Sequence, residues 1–223
     1  MAVFDDEAKS YDKWYKTKLG NFVDKVEKEC AFSLFDIKQG MRVLDIGCGT
    51  GNYSIELSDL GCEVTGIDVS DDMLNIAREK SRIKGYDIDF YNMNVYDLEF
   101  EDEYFDAVFS MAAFEFVEDI ERALEEIFRV IKKDGEILIG TINKDSKWGE
   151  FYLSKEVQKN SVFKYAKFKT LEDFKKFNEE KIIETKECLF IPPEINEEQI
   201  SMEKENELSK SEKGGYICVL WKK

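Results

Sequence analysis

The chain has 223 residues, 43% of them apolar and 13% aromatic, enough to build one α/β domain with a sizeable core and too apolar for a disordered chain. Its 32 basic and 48 acidic side chains leave a net charge of −16, which repels phosphate and argues against nucleic acid or an anionic membrane as partner. The absence of histidine removes imidazole bases, His-based triads and His-ligated zinc.

Residues 1–10 are polar and acidic, without the apolar stretch of a signal peptide, and no later run is long enough to span a bilayer. A cytoplasmic location is therefore expected. Leu19, Phe22, Val23, Val26 and Cys30 recur at spacings of three and four, the signature of a helix, and Gly40 closes this stretch. From Met41 the pattern alternates. Strands are expected at 41–46, 63–68, 89–92, 107–111 and 136–142, with helices at 53–60, 70–84 and 120–131 between them. Ser70, followed by two carboxylates, reads as a helix cap. Beyond the fifth strand a helix is expected over 151–163, and Thr170 to Asp173 reads as a capping box. Two strand-like runs, 182–191 and 216–221, suggest an antiparallel hairpin at the sheet edge. The predicted fold is a Rossmann-like, doubly wound, seven-stranded and mostly parallel sheet with an antiparallel C-terminal hairpin and a small helical cap. It divides one domain into an N-terminal cap segment (1–39), a core (40–142), a second cap (143–181) and the hairpin (182–223).

The strongest local signal is Asp45-Ile46-Gly47-Cys48-Gly49-Thr50-Gly51-Asn52, at the first strand-to-helix turn. Glycines there permit a tight turn and close approach of backbone to a ligand, with helix N–H groups aimed at it. The spacing differs from the G-x-G-x-x-G of dinucleotide dehydrogenases, which weakens that alternative. Asp68 ends the second strand 17 residues after Gly51, where a carboxylate suits the two hydroxyls of a ribose. With these motifs in order over residues 40–142, the chain resembles the class I S-adenosylmethionine-dependent methyltransferases, in their ubiquinone-biosynthesis-like small-molecule branch.

The resemblance implies roles residue by residue. Gly47, Cys48, Gly49, Gly51 and Asn52 would form the loop under the methionine part of the cofactor, with Asp45 near its ammonium group. Asp68 would hold the ribose, and Val69 and Met73 would flank the adenine. Asn94, beside Val95, stands where the family has Asp and can accept the same bond from the adenine amino group. Tyr11 and Trp14 resemble the aromatic segment that folds over the cofactor. Met111 would lie beside the sulfonium, and Glu115 takes the place of a proton acceptor where relatives often carry His. Phe116, Asn143, Trp148 and Tyr152 would face the acceptor. From the residues alone, Asp68 can equally cap a helix, Asn94 serve a turn, Tyr11 and Trp14 pack in the core, and Glu115 be structural.

A sulfonium carries its methyl group already activated, so such a site needs alignment and water exclusion more than a base. The expected cofactor is S-adenosyl-L-methionine, released as S-adenosyl-L-homocysteine; no metal is expected. The expected acceptor is a small molecule, and no nucleic-acid or membrane partner is expected. Seven lysines against three carboxylates between 144 and 170 suggest an anionic acceptor. The chain is expected to be a monomer or weak homodimer. A cofactor-binding sensor, a catalytically silent partner subunit and a methyltransferase acting on a macromolecule stay open. Thiolate methylation of a metalloid would need converging cysteines, and of the five only Cys188 and Cys218 are expected to meet.

Overall fold

The computed structural model describes residues 2–223. Helices α1 (Ala8–Trp14) and α2 (Lys18–Leu34) precede an alternating series: β1 (Arg42–Ile46), α3 (Asn52–Asp59), β2 (Glu63–Asp68), α4 (Asp71–Lys84), β3 (Asp89–Asn92), β4 (Phe105–Met111), α5 (Ile120–Val130) and β5 (Ile131–Ile142). Three short helices follow, α6 (Lys147–Tyr152), α7 (Lys155–Asn160) and α8 (Leu171–Lys175). The chain then adds β6 (Ile182–Cys188), α9 (Met202–Leu208) and β7 (Tyr216–Lys222). All seven strands form one sheet in the order β3-β2-β1-β4-β5-β7-β6, in which β7 alone runs against the direction of the other six. The Rossmann-like expectation is met.

Alternation along the strands explains why both faces are covered. Val43, Ala107, Phe109, Leu138 and Cys218 point into a core under α2, α3 and α4, while Leu44, Val108, Ile137, Ile139 and Trp221 point into a second core under α5 and α8. Helix α4 has the cap expected of Ser70, whose Oγ accepts from Met73 N. The capping box at α8 is complete, with Thr170 and Asp173 bonded to each other's backbone.

Three expectations change. The single helix over 151–163 is broken, because Ser154 caps α7 and Ser161 caps a 3-10 turn, Val162–Tyr165; hydroxyls that satisfy free N–H groups restart helices rather than extend them. Strand β5 begins at Ile131, not 136, and carries an irregularity in its pairing with β4 between Phe105 and Ala107. The two late strands do pair antiparallel, but not as a simple hairpin: residues 189–215, with α9, connect them, and β7 lies inside the sheet. Burial decides their order. Tyr216 to Trp221 are all buried and fill the interior position, whereas β6 exposes Glu184 and Glu187 at the edge, where charge discourages further pairing. Among the described residues, no helix is long and apolar enough to cross a membrane.

Candidate active site

The site lies at the carboxyl ends of β1, β2 and β4, where the order of a doubly wound sheet reverses and leaves a crevice. The loop after β1 is tied down by its own backbone: Gly47 N and Cys48 N both donate to Ile67 O, and Gly51 N donates to Cys48 O. Gly47, at φ 68°, leaves no room for a side chain, since a Cβ there would lie 2.3 Å from Ala113 Cβ. Gly49, at φ 53°, meets nothing within 4 Å and opens its backbone to the cavity. Gly51 differs from the expectation: it does not line the cavity, and its missing Cβ instead lets α4 approach, with Ala77 Cβ 2.9 Å from where that atom would be.

Asp68 accepts from Gly49 N and Ser70 N, both at 2.9 Å, and burial pushes its carboxyl up against those bonds. Asp45, 2% exposed beneath the loop, accepts from Ser54 Oγ at 2.5 Å, and burial pushes its carboxyl up to about 7. Cys48, Gly49 and Asn52 line the cavity together with Val69 and Met73, and Asn94, Val95 and Met111 close its far wall. Asn94 uses its Oδ1 on Tyr96 N at 3.1 Å, an Asx turn that leaves one lone pair free. Tyr11, its hydroxyl pushed up to about 12 by burial, roofs the cavity from α1.

Helix α1 is fastened there by a residue whose role the sequence did not reveal. Asp12 accepts from Thr50 Oγ1 at 2.7 Å, Asn52 Nδ2 at 3.2 Å and Lys80 Nζ at 2.8 Å, so one carboxylate joins the cap to the glycine loop and to α4. These bonds hold Asp12 below the usual carboxylate range.

A second cavity, of about 420 Å³ against about 230 Å³ for the first, opens beside it and shares Phe4, Tyr11, Tyr15, Glu27, Ala112 and Phe116 with it. Trp14, Glu115, Trp148 and Tyr152 line it, with Phe163 and Tyr216. Trp148 is fixed by a bond from its Nε1 to Ile191 O at 2.7 Å. Tyr216 Oη accepts from Ala112 N at 2.8 Å and so supports a turn in which Ala112 takes φ 52°.

Asn143 is not brought in. Its amide is spent on Gly214 O and Asp145 N, and it lines neither cavity. Glu115 is wholly buried and its carboxyl is pushed up by burial; Oε1 accepts from Ile142 N at 2.6 Å, while Oε2 has no partner, with the Thr141 hydroxyl alongside but outside bonding geometry. The seven lysines between 144 and 170 do not enter the cleft. Six are exposed, and the buried one, Lys169, donates to Val117 O at 2.9 Å and Phe114 O at 3.3 Å, clamping the Glu115 turn. Neither cavity has a lysine or arginine in its wall.

Glu27 is the carboxylate that sequence reasoning missed. The signal was there: Val23, Glu27 and Cys30 fall on one helical face, so an acid interrupts the buried stripe of α2. The cysteines are all free and buried; Cys30 joins Cys188 and Cys218, against the expected pairing of the last two alone. No group of His, Cys, Asp or Glu among the described residues is arranged to hold a metal.

Comparison with known proteins agrees with this geometry. Residues 44–139 match the methyltransferase-domain family. An uncharacterized protein of Methanocaldococcus jannaschii is 36% identical over 168 residues, 75% of this chain and 74% of that one. A ubiquinone biosynthesis O-methyltransferase of Rhizobium leguminosarum is 34% identical over 109 residues, 49% of this chain and 43% of its own length, so the chain spans less than half of that relative. Among solved structures, a Thermotoga maritima S-adenosylmethionine-dependent methyltransferase described as a possible histamine N-methyltransferase superposes with a TM-score of 0.75 at 24% identity, covering 99% of this chain and 98% of that one. The Gly49 backbone facing the cavity, the Asp68 carboxylate at the strand edge and the apolar slot at Val69 and Met73 suit the glycine-loop, ribose and adenine contacts of that cofactor. The chain belongs to the class I S-adenosylmethionine-dependent methyltransferases.

Proposed function

We propose that the chain transfers the methyl group of S-adenosyl-L-methionine to a small-molecule acceptor held in the second cavity. The observation that carries this reading is that the two cavities adjoin and share a wall, which places a donor and an acceptor side by side. Asp68 holds the ribose, the Gly47–Gly49 backbone lies along the methionine part, and Met111 and Ala112 face the reacting methyl group. The cofactor supplies the activated methyl; the chain's own residues align it, exclude water and offer carboxylates that complement a cationic sulfonium.

Glu115 is better read as a positioning group than as a base, because Oε1 ties the turn to Ile142 and Lys167 N donates to its carbonyl. The cavity of about 420 Å³ favours a metabolite-sized acceptor over a macromolecule. Calorimetric titration with S-adenosylmethionine and S-adenosylhomocysteine, with NAD as control, tests the first half of the proposal. Binding of the first two alone is expected. Absence of binding by either would remove the cofactor assignment and leave a silent partner subunit as the better reading.

A further inference from the structure

Glu27 sits on the wall common to both cavities, on the same helical face as buried Val23 and Cys30. Its carboxylate has neither a hydrogen-bond nor an ion-pair partner among the described residues, although most other carboxylates turned inward, such as Asp45, Asp68 and Glu205, are bonded. The other acids of the second cavity are Glu7 and Glu115, the latter with its free Oε2. Much of the remaining wall is aromatic, with Tyr11, Trp14, Tyr15, Tyr152 and Phe163, and Ser10, Asn160 and Ser161 add neutral polar groups. The cavity therefore combines carboxyl groups that have no salt bridge, ring faces and no cation in its wall. An anionic acceptor would find no cation in the wall to pair with, and a neutral hydroxyl would bring no charge to offset a carboxylate. A protonated amine supplies the missing partner and is attracted by the ring faces as well.

We propose that the acceptor is a small primary or secondary amine with an apolar body, its nitrogen held by Glu27 and its body by the aromatic wall. This rests on the methyltransfer reading above and names its substrate class. Glu27, at the seam, is the group placed to receive the proton the ammonium must lose before its nitrogen has a free electron pair. Burial pushes the Glu27 carboxyl well up, which readies it to take that proton. In the transfer, the nitrogen pair forms the bond to the methyl carbon while that carbon's bond to sulfur breaks and its pair leaves with sulfur. The products are the methylated ammonium and neutral S-adenosylhomocysteine, and the proton on Glu27 passes to water.

The test is calorimetry on the full chain saturated with S-adenosylhomocysteine. It uses benzylamine, 2-phenylethylamine and tryptamine as probes, each beside a carboxylate and an alcohol of matching size. At least one amine should bind at least about ten-fold more tightly than its carboxylate and alcohol. Glu27→Gln, an isosteric change, should lose that preference while still binding S-adenosylhomocysteine and keeping the circular dichroism spectrum. With S-adenosylmethionine, mass spectrometry should then find the added methyl on nitrogen. Carboxylates binding as well as amines, Glu27→Gln retaining the preference, or none of the amines binding to a chain that does bind S-adenosylhomocysteine would each overturn the proposal. A chain that binds no cofactor overturns the methyltransfer reading and this inference with it, and that result is distinct from the other three.

Discussion

The two cavities share a wall but are built differently. The first cavity is made of strand ends and backbone: the turn after β1, whose glycines take positive φ, the end of β2 and the turn after β4 line it. The acceptor side is made of side chains from α1, α2, α6 and the 3-10 turn at Val162–Tyr165, far apart in sequence and joined only by the fold. Backbone sites tolerate almost no change of residue type at the turns that make them. Side-chain sites can change specificity one ring at a time, so the two sides should respond differently to substitution.

The largest separation is expected at Gly47. Gly47→Val drives a β-branched side chain into Ala113 at a left-handed φ and should abolish cofactor binding, whereas Gly49→Ala, with open space around it, should weaken binding only several-fold through backbone strain. Equal losses at the two positions would mean that the loop acts through flexibility rather than shape. Asp68→Ala should next cost roughly ten- to a hundred-fold in S-adenosylhomocysteine affinity, in line with about 1.5–3 kcal/mol for hydrogen bonds to a charged group. Amine binding, measured separately, should barely move. If both fall together, the two sides are one cooperative unit.

Asp45 gives a pH signature confined to the cofactor side. Its carboxyl titrates near 7 in the fold and near 4 when unfolded, so folding favours the protonated form. That stabilisation is present below about pH 4 and is lost as the pH rises to about 7. Asp68, Glu27 and Glu115 shift the same way, and Asp12, Asp106, Glu126 and Asp173 the opposite way, so the informative quantity is the difference from a variant. Asp45→Asn, which can still accept from Ser54, should raise the melting temperature of the free protein at pH 8 and not at pH 4, by the equivalent of at most about 4 kcal/mol. A uniform shift at both pH values would remove the titration from the account. The smallest effect is expected at Phe163→Ala, which trims one ring from the acceptor wall and should raise the acceptor KM a few-fold with cofactor affinity unchanged.

Legibility in the sequence divided along the same line. The strand-helix series and the Asp45–Asn52 loop were readable because local rules fix them: two-residue alternation, glycine spacing and a capping serine. Cys48, Asp68, Val69 and Met73 came with that loop into one cavity. Asn143 was misjudged because a polar residue just past a strand end can turn either way, and here Gly214 and Asp145 compete for its amide. The lysine excess misled for a related reason: composition records charge but not direction, and the one buried lysine serves as a clamp. Phe4, Asp12 and Glu27 stayed hidden because their significance depends on where α1 and α2 dock. No local pattern encodes that, although an acid within the apolar stripe of α2 was a usable warning.

The interior place of β7 bears on how the molecule comes into being. It is translated after every other strand of the sheet, yet it must slot between β5 and β6. The cofactor half can therefore take shape on the ribosome while the edge of β5 still waits for its neighbour. Tyr216, which steadies the Ala112 turn, arrives only with that strand. A nascent chain halted before residue 216 would possess the glycine loop and the Asp68 carboxylate without a finished second cavity. Competence to grip the cofactor would thus precede competence to use it, with an open strand edge exposed in the interval.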